Sequence, residues 1–515
     1  MKAFPLTETM LGMFLEWNSA RESTQYTIAI VNVFPKTIDP ERLVRAVESA
    51  SAANAMFKMR FVLEDEVPRW VLDESIEIKV SRTTMSDAEA DAYQQSYARG
   101  FDAFAGPFGR FTLVETPTTC RLLTEIFHVV MDGTSGRLFF HEIMTRYQEG
   151  AGPTSAQSNG EATRTFADYV AAEQASFASP EYAEAKEAAI ARFTGRMMSV
   201  PEGVSLKSGG LESSAAKADR GAPLIATTQF PRAEIDAYCR KNGLHPNLFF
   251  MGVFARTLAL YTNEANVVFW TVNHGRGKTP EWKNVHGCFV KTVPVLGEMK
   301  GDLDCADYFR SFRLHKAGVY PFTHFCRDLG IAPGWGMVYQ EGTTDYDLTL
   351  DGVRSRYFTP MSGGSDENAV VQVFGEPDVF RFEVTCLPKK YDLDFITRFI
   401  GRMKTIARNF ISASRLKDVP VLTAEEQAEV MKLSYGGEME YDESKTFVDL
   451  FREQVAARPE AIAVVDCETS LTYRQLDERS DALAASLVER GVAAGDFVAV
   501  KLPRRVSFAV AIIAV

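Results

Sequence analysis

Short helix and strand signals alternate along this chain, and that alternation restricts it to mixed α/β folds. Tyr26–Phe34 and Phe57–Leu63 read as strands. Between them Asp39 and Pro40 open a helix at about 40–54, because the aspartate accepts free N–H groups and the proline fits the first turn. Met85-Ser86-Asp87 opens another helix near 87–98. Arg121–Val130 is a short, largely apolar strand that Gly133 breaks, and Gly136–Tyr147 is an amphipathic helix with Leu138, Phe139, Ile143 and Tyr147 on one side. A long helical region follows at about 165–197. The polar, small-residue stretch Ser205–Gly221 reads as a surface loop, after which the mixed pattern resumes. It continues with helices Pro231–Lys241 and Pro246–Tyr261, strands Asn266–Val272 and Val379–Cys386, and a long helix, Asp392–Phe410.

With 515 residues the chain exceeds what one hydrophobic core supports, so two to four domains or lobes are expected. No residue-level repeat occurs, yet the two stretches of similar size and pattern suggest two related lobes, 1–175 and 176–420. Val421–Lys445 is charged and turn-rich, with Gly436-Gly437 inside it, and 421–446 is expected to be a linker. Helix Phe447–Ala457, strand Ala461–Val465, the segment Leu471-Thr472-Tyr473 and helix Gln475–Gly491 then open a further α/β region, 447–515. The sequence stops inside the apolar run Phe508–Val515, a surface that an intact domain would cover, so this region is expected to be a fragment.

The net charge of −12 argues against nucleic acid as the main partner, since binding a polyanion needs surplus Lys and Arg. Seven scattered cysteines without a C-x-x-C favour neither a disulfide framework nor a zinc site, and a reducing cytoplasm fits best. The N-terminus carries Pro5, Thr7 and Glu8 where an export signal needs apolar residues, and no run of about 18 apolar residues suggests a membrane span.

The sharpest local signal is Glu125–Gly133, with His128 at the end of a strand and Asp132 and Gly133 just beyond. Histidine can accept or share a proton near neutral pH, and a strand end fixes the side chain while leaving its tip open. Asp132 fits a turn-fixing role, for which it needs a cation; Lys58 or Arg60 could supply one. Gly133 permits tight backbone geometry and close approach of a substrate. For H-x-x-x-D-G alone, a satisfied core histidine is the favoured reading. A metal site from His128, Asp132 and His141 is not expected, because a strand–turn–helix layout does not obviously gather all three.

Residues 124–147 resemble the H-H-x-x-x-D-G signature of nonribosomal peptide synthetase condensation domains. Several neighbours resemble other segments of that family, in family order over about 4–420. They are Phe4–Thr7 with Met10–Met13, Phe57–Phe61, Asn273–Arg276 with Val285–Thr292, and Tyr346–Leu350. Thr446–Phe451, Pro459–Val464, Leu471–Leu476 and Gly491-Val492 with Gly495-Asp496 resemble the start of adenylation domains. The sequence departs from the family pattern at the first histidine of the pair, which is Phe127; Lys58 stands where Arg is common and Lys291 where Asn is common.

The resemblance implies two chloramphenicol-acetyltransferase-like lobes forming a V with a central tunnel, plus an incomplete α/β adenylation-domain fragment. It implies catalytic roles for His128, Asp132 and Gly133, with Phe127 filling a buried place and Lys58 and Arg60 supporting the motif. The implied reaction joins a carrier-bound acyl or peptidyl thioester to the amine of a carrier-bound aminoacyl thioester, in one variant as a starter domain that performs N-acylation. No tightly bound cofactor is implied: substrates ride on the 4'-phosphopantetheine of carrier domains, and ATP with Mg serves only a complete adenylation domain. Donor and acceptor carrier domains are the implied partners, together with the rest of the adenylation domain and a downstream carrier domain. Two alternatives carry less support. A CoA-dependent acyltransferase acting on an alcohol would need a D-F-G-W-G turn, whereas Gly334-Trp335-Gly336 follows Ala332-Pro333. An inactive carrier-docking scaffold has only Phe127 in its favour.

Overall fold

The computed structural model describes residues 2–149, 165–201, 224–277, 280–314, 318–332, 334–341, 346–359, 369–386, 391–437 and 439–515. The expected loop 205–221 lies outside them. The chain divides into two compact units, Met1–Glu426 and Gln427–Val515.

The first unit holds two large mixed α/β sheets, each with its own core. The first sheet has five strands in the order Arg356–Phe358, Thr27–Pro35, Thr119–Phe127, Gly109–Glu115, Val80–Thr84. Neighbours run antiparallel except for the last pair, which is parallel. Thr119–Phe127 lies in the middle and is buried over nearly its whole length, which requires both of its faces to be covered. One face meets the helices Pro40–Ala53 and Gly133–Glu149. The other carries Arg121 and Glu125, both buried and both paired: Arg121 with Asp91 and Gln94, Glu125 with Arg99 and Arg110.

The second sheet has six strands, ordered Lys291–Glu298, Asn266–Asn273, Gly336–Gln340, Val370–Gly375, Val379–Cys386, Leu224–Pro231. Its core is packed by helices Pro246–Thr262 and Leu393–Ser412. Trp335 is buried in it, its indole N–H donating to the Tyr391 hydroxyl at 3.0 Å, so the Gly334-Trp335-Gly336 run serves packing.

Most expected elements form, with instructive shifts at their ends. The helix at 40–54 runs Pro40–Ala53, and the Asp39 carboxylate accepts the N–H groups of Glu41 and Arg42. Ser86 closes a capping box with Glu89, but that helix stops at Tyr93. The region 165–197 is two helices, Phe166–Ser176 and Pro180–Phe193, because Ser179-Pro180 starts a new N-terminus. Within the expected linker, Ala424–Ser434 is helical.

Parts of the later chain cross back to the first sheet. Val285, Phe289, Tyr346, Leu348 and Leu350 are buried in the first core, and Arg356–Phe358 pairs with Thr27–Pro35. Ser355 anchors this return by donating to Asn32 at 2.7 Å while accepting the Leu348 N–H at 2.9 Å. The second unit comprises helices Phe447–Ala457, Tyr473–Glu489 and Val506–Ala514 and a strand pair, Ile462–Val465 with Ser470–Thr472, around Phe451, Leu471, Leu476 and Val506.

Candidate active site

The strand Thr119–Phe127 ends one residue before His128, which begins a single 3₁₀ turn, His128–Val130. The turn ends the strand, and Gly133 is the first residue of the following helix rather than the residue that breaks the strand. The His128 N–H donates to the Tyr26 carbonyl at 2.8 Å, so the neighbouring strand fixes the backbone where the imidazole emerges half-buried.

Asp132 is buried and fully engaged. Its carboxylate accepts the Ser135 N–H at 2.8 Å, capping the helix Gly133–Glu149, and the Phe289 N–H at 3.0 Å. Its cation is Arg276, whose Nη2 lies 3.1 Å from Oδ1. Lys58 and Arg60 do not reach it. Lys58 pairs with Glu74 at 2.9 Å and Arg60 with Asp73 at 3.0 Å. Arg276 also donates to the Ser135 hydroxyl and to the carbonyls of Trp282 and Val285, and its guanidinium lies 3.9 Å from the Phe289 ring centre. Ser135 in turn donates to the Gly287 carbonyl at 2.7 Å and accepts the Gly287 N–H at 3.1 Å. A buried latch therefore clasps residues 285–289 onto the start of the helix Gly133–Glu149, just beyond His128.

Two glycines make the latch fit. Gly275, with φ +68°, would place a Cβ 1.6 Å from the Phe289 carbonyl oxygen. At Gly287 a Cβ would fall 2.2 Å from the Phe166 ring. Lys291, beyond the latch, pairs with the buried Glu173 at 2.9 Å.

Phe127 fills a buried aromatic site. Its ring stacks on Phe101 (centroids 5.4 Å apart) and meets the edge of Phe108 (5.2 Å). Phe127→His should lower stability by about 1–3 kcal/mol, because an imidazole there loses apolar burial and buries a polar group. Urea denaturation of the variant checks this.

Burial holds the His128 imidazole below its ordinary 6.5, opposed by a hydrogen bond to its own backbone and by the Asp132 charge. Nδ1 is the ring nitrogen nearer that carbonyl, and a proton held there would leave Nε2 as an acceptor. The folded state then takes up its proton later than the unfolded chain as pH falls, so this group costs stability progressively below pH 6.5. Any acid limb that His128 imposes on kcat/KM should likewise lie below pH 6.5, measured with an acceptor whose own amine titrates outside that range. A limb centred at or above 6.5 would contradict the burial assigned to the ring.

His141 is exposed on the helix Gly133–Glu149, and among the described residues no three His, Cys, Asp or Glu gather as a metal site. The cysteines are unpaired, and no helix among the described residues is long and apolar enough to cross a membrane.

Residues 2–331 match the family model described as Condensation domain. The chain belongs to the condensation-domain family. Residues 451–515 match the model of AMP-binding enzymes. Among curated relatives, tyrocidine synthase 2 of Brevibacillus parabrevis is 22% identical over 99% of this chain and 14% of its own length. Tyrocidine synthase 3 of the same organism is 22% identical over 99% of this chain and 8% of its own. The chain thus spans a small part of these relatives.

The same fold occurs in the first condensation domain of the calcium-dependent antibiotic synthetase, with TM-score 0.67 and 17% identity over 82% of this chain and 100% of that one. It occurs also in the starter condensation domain of rhizomide synthetase RzmA, with TM-score 0.66 and 15% identity over 82% and 98%. These likenesses place the chain in the chloramphenicol-acetyltransferase-like fold class expected from the sequence.

In this condensation domain, His128, Asp132 and Gly133 adjoin one another at the strand-to-helix junction, while Lys58 and Arg60 stand apart in other ion pairs. Arg276 and Ser135 are the residues that sequence reasoning missed. The signal was present, since a buried Asp132 demands a cation and Arg276 closes the segment Asn273–Arg276.

Proposed function

We propose that the unit Met1–Glu426 joins two carrier-borne thioesters. The donor is an acyl or peptidyl group and the acceptor is the α-amine of an aminoacyl group, each presented on the 4'-phosphopantetheine of a carrier domain. His128 carries the reading: a half-buried imidazole, unprotonated at neutral pH with Nε2 free to accept, fixed at the end of a central strand beside a buried latch.

The amine nitrogen attacks the donor carbonyl carbon, the C–N bond forms, and the C–S bond breaks as the proton lost by the amine passes to the leaving thiolate. About one-tenth of an α-amine with a pKa near 8 is already neutral at pH 7, so complete proton abstraction is not demanded of His128. Positioning of two bound thioesters supplies about 7–11 kcal/mol. A hydrogen bond from the imidazole to the amine or to the developing oxyanion adds about 3 kcal/mol. Asp132 and Arg276 act as positioning residues, and Gly133 contributes backbone at the helix start. The region 1–175 supplies the histidine strand and 176–420 all six strands of the second sheet, while 447–515 contributes to an adenylation domain, whose complete form uses ATP and Mg. Seven unpaired cysteines accord with a cytoplasmic setting.

The fold likeness to a starter condensation domain supports N-acylation as the specific role. The test is mass spectrometry of products from an aminoacyl thioester acceptor offered a panel of acyl-CoA, acyl-carrier and peptidyl thioesters. Amide from acyl donors supports the starter role, and amide from peptidyl donors alone replaces it with elongation. Absence of amide from every donor, in folded protein that still binds carrier domains, overturns the catalytic reading in favour of a docking scaffold.

A further inference from the structure

The latch has a second consequence, at Cys288. By stapling Gly287 to Ser135 and Phe289 to Asp132, it fixes the one residue between them from both sides. The Cys288 side chain is buried and its sulfur lies 4.0 Å from Nδ1 of His128. The other ring nitrogen, Nε2, is the one that the proposed function assigns to the substrate. The Val290 N–H also bonds to this sulfur, and burial together with the Asp132 charge holds the thiol neutral, far above its ordinary range. A neutral sulfur that accepts one backbone N–H has lone-pair capacity left for a second donor.

We infer that Cys288 is a positioning residue for His128: its sulfur accepts from Nδ1–H, shares that proton with the His128 carbonyl, and so fixes both ring orientation and tautomer, leaving Nε2 as the acceptor. This goes beyond the family motif, in which the position between the glycine and the phenylalanine is not specified. It rests on the condensation reading for its kinetic consequence but not for its structural one.

The large contact surface of sulfur matters here as much as its weak acceptor strength. Cys288→Ala leaves a void beside the ring that water or a rotated imidazole can fill. Asp132 is the charged neighbour acting on His128, and it is untouched by the substitution. The ring should therefore become better solvated, with its protonation midpoint rising toward 6.5 and Nε2–H tautomer appearing. Cys288→Ser keeps a hydrogen-bonding atom at the place, with shorter reach, and should fall between the two.

The experiment is nitrogen-15 NMR of histidine-labelled protein, with the His128 resonances assigned from His128→Ala, run beside amide-formation kinetics. In Cys288→Ala we expect the tautomer signal and the titration midpoint to move, with kcat about tenfold lower and KM unchanged; Cys288→Ser should stay within about threefold of the parent. Unchanged tautomer and midpoint in folded Cys288→Ala would overturn the inference, whatever the activity. Because the spectroscopic arm needs no substrate, a parent protein that forms no amide refutes the condensation reading alone.

Discussion

Arg276→Met is expected to cost about 3–5 kcal/mol of stability, the largest structural effect of any single change at this site. The reason is what the substitution leaves behind. Asp132 stays buried, and the guanidinium that balances it is also the donor for Ser135 and for the carbonyls of Trp282 and Val285. A methionine fills similar space but offers no N–H, so one carboxylate, one hydroxyl and two carbonyls lose a partner at once. Asp132→Asn should be milder, about 2–3 kcal/mol: Ser135 donates to Oδ1 and Phe289 to Oδ2, so the single amide oxygen keeps one of these bonds and loses the other, while the Arg276 guanidinium loses its counter-charge but keeps its carbonyl acceptors. Urea denaturation of the two variants beside the parent checks this order. An Arg276→Met protein as stable as the parent would mean that the latch is not what holds residues 285–289.

His128→Ala is expected to carry the largest effect on turnover, a fall in kcat of about 10²–10³-fold with KM within about threefold. The ring lies at the end of the strand Thr119–Phe127, and the contacts that fix this end run through the backbone to Tyr26 and through Asp132 to Arg276. Removing the side chain leaves those contacts in place, so substrates should bind much as before. Residual turnover is expected, because positioning and the intrinsic nucleophilicity of a partly neutral amine survive the substitution. A collapse in binding with kcat retained would instead assign His128 to substrate recognition.

What the sequence makes legible follows the range of the interactions. His128, Asp132 and Gly133 are legible because a strand, a turn and a helix start lie within six residues of one another. Helix Pro40–Ala53 is legible for the same reason, its cap being local to Asp39 and Pro40. The cation for Asp132 is not, because Arg276 lies 144 positions away and only the tertiary fold brings it close; Lys58 and Arg60 have the right charge but closer acidic neighbours in Glu74 and Asp73. The crossing-back of Tyr346 through Phe358 is illegible too, since edge-strand pairing between distant segments leaves little local periodicity. Helix Ala424–Ser434 hides within an expected linker because it buries none of its residues and so shows no apolar stripe. Phe127 is legible as a space-filling residue, and its aromatic partners Phe101 and Phe108 explain why.

This condensation domain is taken to make an amide by joining a thioester donor to an amine under the control of His128. The most direct measurement is a single-turnover reaction, the protein in excess over an acyl thioester and an aminoacyl thioester, followed by mass spectrometry. The account predicts one amide product joining the two halves, one equivalent of released thiol, and a rate lowered about a hundredfold or more by His128→Ala. Release of thiol without amide, or amide formed at equal rates by parent and variant, would contradict it.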